Sequence, residues 1–272
     1  MGFVFRNDPC GVACVVVTFL LVLYADFVVV KVLVPSYETS SWSTVHSLVF
    51  NIIVVLIIIS HVRAVLGDPG QVPLASTKLD FSEVRLGGQS KDDSSDDSLV
   101  KTSWTLCSKC ETYRPPRAHH CRTCRRCIRK MDHHCPWINN CVGEFNQKYF
   151  LLFLLYTGVG CAYAFILTIA CWITQFGHKQ VDSSSSIVCS MFLIIECVLF
   201  FLFVILIGCD QIQGIFEDST QVEQVQRKMP HRSPKSKMAL LTEVFGRGRK
   251  CLWLLPVAPR LSNSTSSHHW DA

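Results

Sequence analysis

Charge is scarce in this chain. Asp, Glu, Lys and Arg make up only 17% of 272 residues, against 49% hydrophobic residues, which excludes a soluble domain of this length. The apolar residues gather in blocks. Four of these, 11–34, 45–66, 150–173 and 187–209, each hold roughly 20 or more mostly apolar positions, long enough to cross a ~30 Å hydrocarbon core. They are read as four transmembrane helices. No small-residue cleavage site interrupts the first, and its apolar run exceeds the ~7–15 residues of a signal-peptide core, so it is read as retained. Myristoylation of Gly2 is disfavoured because Arg6 stands where Ser or Thr is expected.

Positive charge is missing from one side only. The connections 35–44 and 174–186 hold no Lys or Arg and one (Lys179), whereas 67–149 holds 13 and the 210–272 tail holds 9. Lys and Arg collect on the cytosolic side of membrane proteins. Residues 1–10, both large segments and both termini are therefore expected in the cytosol. In that reducing compartment clustered cysteines bind metal and do not form disulfides. The net charge of +5 needs no nucleic acid partner, because basic residues beside anionic lipid are expected.

Large apolar residues are in turn rare between the second and third blocks. Residues 71–103, with the run Lys91-Asp92-Asp93-Ser94-Ser95-Asp96-Asp97-Ser98, cannot build a core and read as a flexible cytosolic linker with a solvated charge run. Residues 104–149 could not fold unaided either, so metal binding must supply much of their stability, with short β-hairpins and turns around two zincs. Sulfur and imidazole are abundant there. Seven cysteines and four histidines lie between Cys107 and Cys141; two closed four-ligand sites would use eight of these eleven and leave three. Cys107-x2-Cys110, Cys121-x2-Cys124 and Cys124-x2-Cys127 are zinc spacings, which leave the partners of Cys121, Cys124 and Cys127 ambiguous. Cys135 stands outside any such step, beside His133 and Asp132. Thiol, imidazole and carboxylate together suggest a nucleophile, its base and the base's orienter; a third metal site is the plainer alternative.

Here the chain resembles the DHHC protein S-acyltransferases, or palmitoyltransferases. The match runs through Cys107-x2-Cys110, Arg114-Pro115-Pro116-Arg117-Ala118-His119-His120-Cys121, Cys124, Cys127, Asp132-His133-His134-Cys135-Pro136-Trp137, Asn139-Asn140-Cys141-Val142-Gly143 and Asn146, with Asp68-Pro69-Gly70 and Thr220-Gln221-Val222-Glu223 outside it. The resemblance implies one zinc on Cys107, Cys110, His120 and Cys127, and a second on Cys121, Cys124, His134 and Cys141. His119, His133 and Cys135 are left over. It implies a mainly α membrane protein, with four transmembrane helices and a small cytosolic zinc-binding cysteine-rich domain of hairpins and turns. The family departs from this chain in the tail, where Gln221 replaces a second Thr and Leu240 a frequent Asn.

The expected reaction has two steps. Cys135, with His133 as base and Asp132 holding the imidazole, takes a long-chain acyl group such as palmitoyl from acyl-coenzyme A and passes it to a cysteine of a membrane-associated target protein with cytosolic cysteines. Closed zinc sites would hold geometry only. Three adjacent side chains cannot line up along an extended strand, so a sharp turn at the site is expected, with Pro136 consistent with it. The acyl chain, reaching ~20 Å, would lie between the helices, stabilised by ~0.8 kcal/mol per buried methylene. Trp137 is read as lining its entrance or anchoring at the interface. Gly158 and Gly160 serve close helix approach or, alternatively, the acyl cavity. Coenzyme A phosphates call for basic residues, with Arg125, Arg126, Arg129, Lys130 and Lys148 the candidates, besides Arg122.

Asp26, Asn51 and Glu196 are expected to form a luminal-side polar cluster, with a cation path as the rival reading. Leu240-Leu241, Val244-Phe245 and Leu252-Trp253-Leu254-Leu255 read as interfacial amphipathic segments. Cys10 and Cys251 lie close enough to the membrane to be acylated and are read as unmodified. The Asn263-Ser264-Thr265 acceptor motif should go unused in the cytosol. A silent zinc-bearing membrane adaptor or a cation transporter are the alternative functions. The Golgi membrane is the expected location, with endoplasmic reticulum and plasma membrane as alternatives, and homo-oligomerisation is left open.

Overall fold

The structure is a computed structural model that describes residues 5–36, 41–74, 104–177, 184–227 and 233–259. Most of the expected linker, from residue 75, falls outside the described residues, as do Lys179 and the Asn263 motif.

Four long helices dominate. The first, α1, starts at Pro9, where Asp8 accepts a bond from the Gly11 N–H at 3.0 Å and proline fills the first turn, which needs no donor. It runs to Phe27, widens into a π-helical stretch over Val28–Leu33 and closes with Val34–Ser36. The others are α2 (Ser41–Leu66), α3 (Gln147–Gly177) and α4 (Ser184–Phe216). All four are long and apolar enough to cross a membrane. Leu20, Leu48, Ile166 and Leu206 point outward, the last 71% exposed, as side chains facing lipid do and as a soluble fold avoids. Between the helices, Val28, Phe50, Ala164 and Leu193 fill one half of the bundle, and Tyr149, Phe150 and Val204 the half next to the cysteine-rich segment. The helix α4 runs past its apolar block, which ends at 209, and so carries Gln211 beyond it.

The cysteine-rich segment is three successive antiparallel hairpins. They pair β1 (Thr105–Cys107) with β2 (Thr112–Arg114), β3 (His119–Cys121) with β4 (Arg126–Ile128), and β5 (His133–Cys135) with β6 (Asn140–Val142). Each turn ends in a left-handed residue, Glu111, Arg125 or Asn139, with φ of 50°, 51° and 47°. The three are one unit repeated. In each, the first strand ends in a cysteine, Cys107, Cys121 or Cys135, and the position three residues on is Cys110, Cys124 or Ile138.

Buried amides fasten the hairpins to the helices. Asn140 donates from Nδ2 to the carbonyls of Ala64, Val65 and Gly67 at 3.2, 3.1 and 2.8 Å, and its Oδ1 accepts from the Cys141 N–H at 2.9 Å. It thereby satisfies the free carbonyl end of α2, which otherwise has no intrahelical partner. Asn146 bonds Cys141 and Gly143 at the start of α3. After α2, Asp68 accepts from the N–H groups of Gly70 and Gln71, and that turn lays Val72 on the Cys127 carbonyl at 2.8 Å. Gly143 has to be glycine, because a Cβ there would stand 2.4 Å from the Pro69 carbonyl oxygen.

Replacing Asn140 by Ala should strand these carbonyls at a cost of about 1–3 kcal/mol. The expected result is a clearly lower thermal unfolding midpoint in detergent; an unchanged midpoint would mean that Asn140 is not the tie between α2 and the hairpins.

Candidate active site

Strand alternation sorts the side chains of β5. His133 and Cys135, two residues apart, share one face, and His134 between them takes the other. The sharp turn expected at the site is therefore not what brings them together. It comes after Cys135, where Pro136–Ile138 form a 3₁₀ turn and Asn139 closes it. The His61 Nε2 meets the Trp137 carbonyl at 2.9 Å and holds that turn from α2.

On the His134 side lie the metal-type clusters. Cys107, Cys110, His120 and Cys127 form one, and Cys121, Cys124, His134 and Cys141 the other, with the donor atoms of each within 4.8 Å of one another. Around a tetrahedral zinc, donors stand ~3.5–3.8 Å apart. The pairs Cys110–Cys127, Cys107–His120, Cys124–Cys141 and Cys124–His134 measure 3.8, 3.7, 3.5 and 3.5 Å, and Cys110–His120 is tighter at 3.1 Å, so both donor sets are of a size to take the ion. Electrostatics agree. Hydrogen bonds from Cys124 and Cys141 pull the Cys121 thiol far down, those to Cys121 and Cys124 push Cys141 far up, and those to Cys121 and Cys124 lift the His134 imidazole to about 10. Sulfurs competing in this way for too few protons are what a shared dication relieves. Each cluster combines the turn of one hairpin with the paired His and Cys of the next: His120 lies opposite Cys127, and His134 opposite Cys141. Cys135 ends the first strand of the third hairpin, and no fourth hairpin follows among the described residues.

On the other face, Asp132 is buried and fully engaged. Its Oδ2 accepts from His133 Nδ1 and from Gln211 Nε2, both at 2.7 Å, and its Oδ1 from the Gln221 backbone N–H at 2.9 Å. Burial pushes this carboxyl up, but the bonds from His133, Gln221 and Gln211 outweigh it and hold it below the usual carboxylate range. Burial lowers the His133 imidazole, whereas hydrogen bonds to Asp132 and Cys135 raise it, to about 9. With Nδ1 on Asp132, the contact with the Cys135 sulfur falls to Nε2. Phe150 presents its ring to His133 at 5.5 Å. Carboxylate, imidazole and buried thiol thus stand in sequence, the order of a base-activated nucleophile.

Residues 100–228 match the family model for DHHC palmitoyltransferases. Similar known proteins include palmitoyltransferase ZDHHC3 of Rattus norvegicus, 37% identical over 262 residues that cover 93% of this chain and 83% of the relative. Palmitoyltransferase ZDHHC7 of Mus musculus is 37% identical over 260 residues, covering 93% and 80%. Probable protein S-acyltransferase 12 of Arabidopsis thaliana is 34% identical over 226 residues, covering 80% and 75%. The chain belongs to the DHHC palmitoyltransferase family.

Around this DHHC core the bundle forms a narrow, partly open cavity, walled almost entirely by apolar side chains of all four helices. Cys135 adjoins it through shared residues: Leu154 and Val204 belong to the cluster that holds Cys135 and also line the cavity. Trp137 lines it too, edge-on to Phe200 and Phe203. Gly160 serves both readings made of it, since it lines the cavity and a Cβ would meet Ile53 and Ile57 at 3.3 Å. Glu196 stands on the wall with its Oε2 buried and without a hydrogen-bond partner. Asn51 does not join Asp26 and Glu196 in the expected cluster. Asn51 is exposed and donates to the Ser47 carbonyl one turn back, because it faces outward on α2.

The five candidate basic residues do not converge. Arg125 and Arg126 border a cleft with Arg6, Lys109 and Arg122. Arg129 pairs with Glu144 at 2.8 Å and Lys130 faces Glu243 at 3.8 Å, across a separate groove. Lys148 is buried and donates to the carbonyls of Leu252 and Val257 at 3.0 Å each, which removes it from the set available to a phosphate.

Those bonds belong to the tail, which docks firmly. In the short helix α5 (Gln221–Val225), Thr220 and Glu223 form a capping box, and Glu223 with Asp218 binds Arg117 at 2.8–2.9 Å. The helix α6 (Lys237–Phe245) buries Leu240 and Val244 against Leu151 and Ile215. Its apolar face is therefore covered by α3 and α4, not turned to the membrane interface as expected; Leu252, Leu254 and Leu255 do remain exposed. Arg63 adds a bond to the Pro256 carbonyl, and Tyr156 one to that of Leu254.

Gln211 escaped the sequence reading. Replacing it by Leu should remove a charged hydrogen bond from Asp132, worth about 1.5–3 kcal/mol or roughly 10- to 100-fold in acylation rate, with folding kept. Single-turnover acylation would measure it, and a wild-type rate would mean that Gln211 does not position Asp132.

Proposed function

We propose that Cys135 is the acyl-carrying nucleophile of this enzyme, with His133 as its base and Asp132 as the group that orients and charges the base. As a member of the DHHC family the chain is a protein S-acyltransferase, which moves palmitoyl-type groups to protein cysteines. The observation that carries the assignment is the partition of the cysteine-rich segment: eight side chains face two metal-type clusters, and the remaining thiol touches the only imidazole held by a buried carboxylate among the described residues.

The reaction is ping-pong. The Cys135 sulfur attacks the thioester carbonyl carbon of a long-chain acyl-coenzyme A; a carbon–sulfur bond forms to Cys135, the bond to coenzyme A breaks, and His133 returns the thiol proton to the departing sulfur. A target cysteine then loses its proton to His133, attacks the acyl-enzyme and leaves with the chain, restoring the Cys135 thiol. Thioester exchange is close to balanced, so the site has to supply proton transfer, position and exclusion of water. The apolar cavity suits the methylene chain at ~0.8 kcal/mol per buried group. It also favours this reading over an adaptor, which needs neither cavity nor thiol, and over a cation path, which needs a polar one.

Cys107, Cys110, His120 and Cys127 would hold one zinc, and Cys121, Cys124, His134 and Cys141 the other. Bound there, the ions fix the hairpins and leave no ligand position open for water. His134 and Cys141 would tie the strands on either side of the turn after Cys135, which preorganises the thiol. Of the basic residues, Arg125 and Arg126 with Arg122 remain free of acidic partners in the ion pairs of the described residues and suit coenzyme A phosphates best. We place the hairpins, the tail and both termini in the cytosol, on the Lys and Arg distribution, with membrane-associated proteins as acceptors. A Golgi location rests on the likeness to the four-span members.

Incubation with alkyne-palmitoyl-coenzyme A should label the wild type through a hydroxylamine-sensitive bond, leave Cys135→Ser without a hydroxylamine-sensitive label, and support transfer to a protein acceptor only in the former. Undiminished transfer by Cys135→Ser would overturn the assignment.

A further inference from the structure

Two cysteines outside the metal-type clusters stand beside the reaction centre without a part in this chemistry. Cys10 and Cys14 lie one turn apart in the first turns of α1 and share a face of that helix. Cys10 is exposed and Cys14 half-buried. This end of α1 is clamped onto the turn that follows Cys135. Asn139 donates to the Arg6 carbonyl at 2.7 Å, and α1 approaches so closely that a Cβ on Gly11 would stand 2.2 Å from the Asn139 Oδ1. Only glycine admits that contact without displacing the side chain. Val15 packs into the same cluster as Cys135.

Farther along α1, Thr18 and Leu21 line the acyl cavity, and the Thr18 hydroxyl donates to the Cys14 carbonyl at 2.9 Å. Cys14 lies one helical turn before Thr18 and two before Leu21. It therefore lies on the cavity-facing side of α1, one turn beyond the cavity wall toward the end of the helix that meets the turn after Cys135. The Cys14 and Cys135 sulfurs are close enough to interact electrostatically.

We propose that Cys14 is a second acyl-carrying thiol, loaded from Cys135 within the same molecule. The proposal rests on the reading of Cys135 as the acyl carrier. The Cys14 sulfur attacks the carbonyl carbon of acyl-Cys135; a carbon–sulfur bond forms to Cys14, the bond to Cys135 breaks, and the Cys14 proton passes through the His133 imidazole to the Cys135 sulfur. No oxidant, reductant or further reactant takes part. The methylene chain stays in the cavity while its carbonyl end passes between the two sulfurs, so burial of the chain is common to both thioesters and does not oppose the transfer. Proximity makes the step unimolecular. A molecule charged in this way keeps its acyl group on the membrane side of the reaction centre, sheltered from water, and can return it to Cys135 by the reverse step.

The test uses the purified full chain in lipid nanodiscs, incubated with alkyne-palmitoyl-coenzyme A, acid-quenched and mapped peptide by peptide, with hydroxylamine to confirm thioesters. Wild type should carry label on both Cys14 and Cys135, and Cys135→Ser on neither cysteine. Cys14→Ser and Cys14→Ala should keep the Cys135 label, which also reports that they fold, and Cys10→Ser should keep both. The proposal is overturned if Cys14 stays unlabelled while Cys135 is labelled, or if Cys14 is labelled equally in Cys135→Ser, which would be spontaneous acylation. Absence of label from Cys135 in the wild type would instead overturn the acyl-enzyme reading beneath it.

Discussion

The arrangement depends on how sulfur and imidazole are divided between two metal-type clusters and one reactive thiol. Three copies of a hairpin follow one another, and each cluster joins the turn of one copy to the paired His and Cys of the next. Cys135 occupies the place that Cys107 and Cys121 hold in their own hairpins, but its partner position is Ile138 and, among the described residues, no further hairpin closes a site around it. The same geometry that makes its counterparts ligands leaves Cys135 a thiol. Because His134 lies on the cluster side of β5, His133 and Cys135 must face the other way.

From that constraint the rest of the site follows outward. Asp132, at the place of Ala118 in the preceding copy, is held by Gln211 from α4 and by the Gln221 N–H from the start of the tail helix α5. Hairpin, membrane helix and tail therefore meet on one carboxylate. The tail is tied again through Arg117 to Asp218 and Glu223, and through Lys148 and Arg63 to the carbonyls near its end. Substitution of Leu for a polar residue at 240 does not undo this docking, because Leu240 buries itself against Leu151 and Ile215. On the opposite side, α1 clamps onto the turn after Cys135, and the apolar cavity shares wall residues with the cluster that holds the thiol, which is the chemistry a fatty chain requires.

Much of this was legible in the sequence, for reasons that can be named. Apolar blocks of span length announce membrane helices whatever their neighbours, and paired cysteines at short spacing announce metal sites. The repeat was legible too, in His119-His120-Cys121-x2-Cys124-x2-Cys127 against His133-His134-Cys135-x2-Ile138-x2-Cys141, and it would have explained the free cysteine by strand alternation without a turn inside the motif. Other features leave no local trace. Gln211 is one of two amides, with Gln213, after an apolar run, and only the length of α4 brings it to Asp132. Lys148 looks like any basic residue beside a membrane until the tail folds over it. Asn51 and Glu196 sit at similar depths in the sequence, but their faces differ, and facing depends on how the helices rotate against one another.

The division of ligands can be read most directly from the zinc itself. X-ray absorption on purified wild type and on Cys135→Ser should give two zincs per chain and the same average shell of three sulfurs and one nitrogen in both, because that thiol belongs to neither cluster. A loss of zinc, or a lower sulfur count, in the Cys135→Ser protein would show the thiol to be a ligand and would contradict the account.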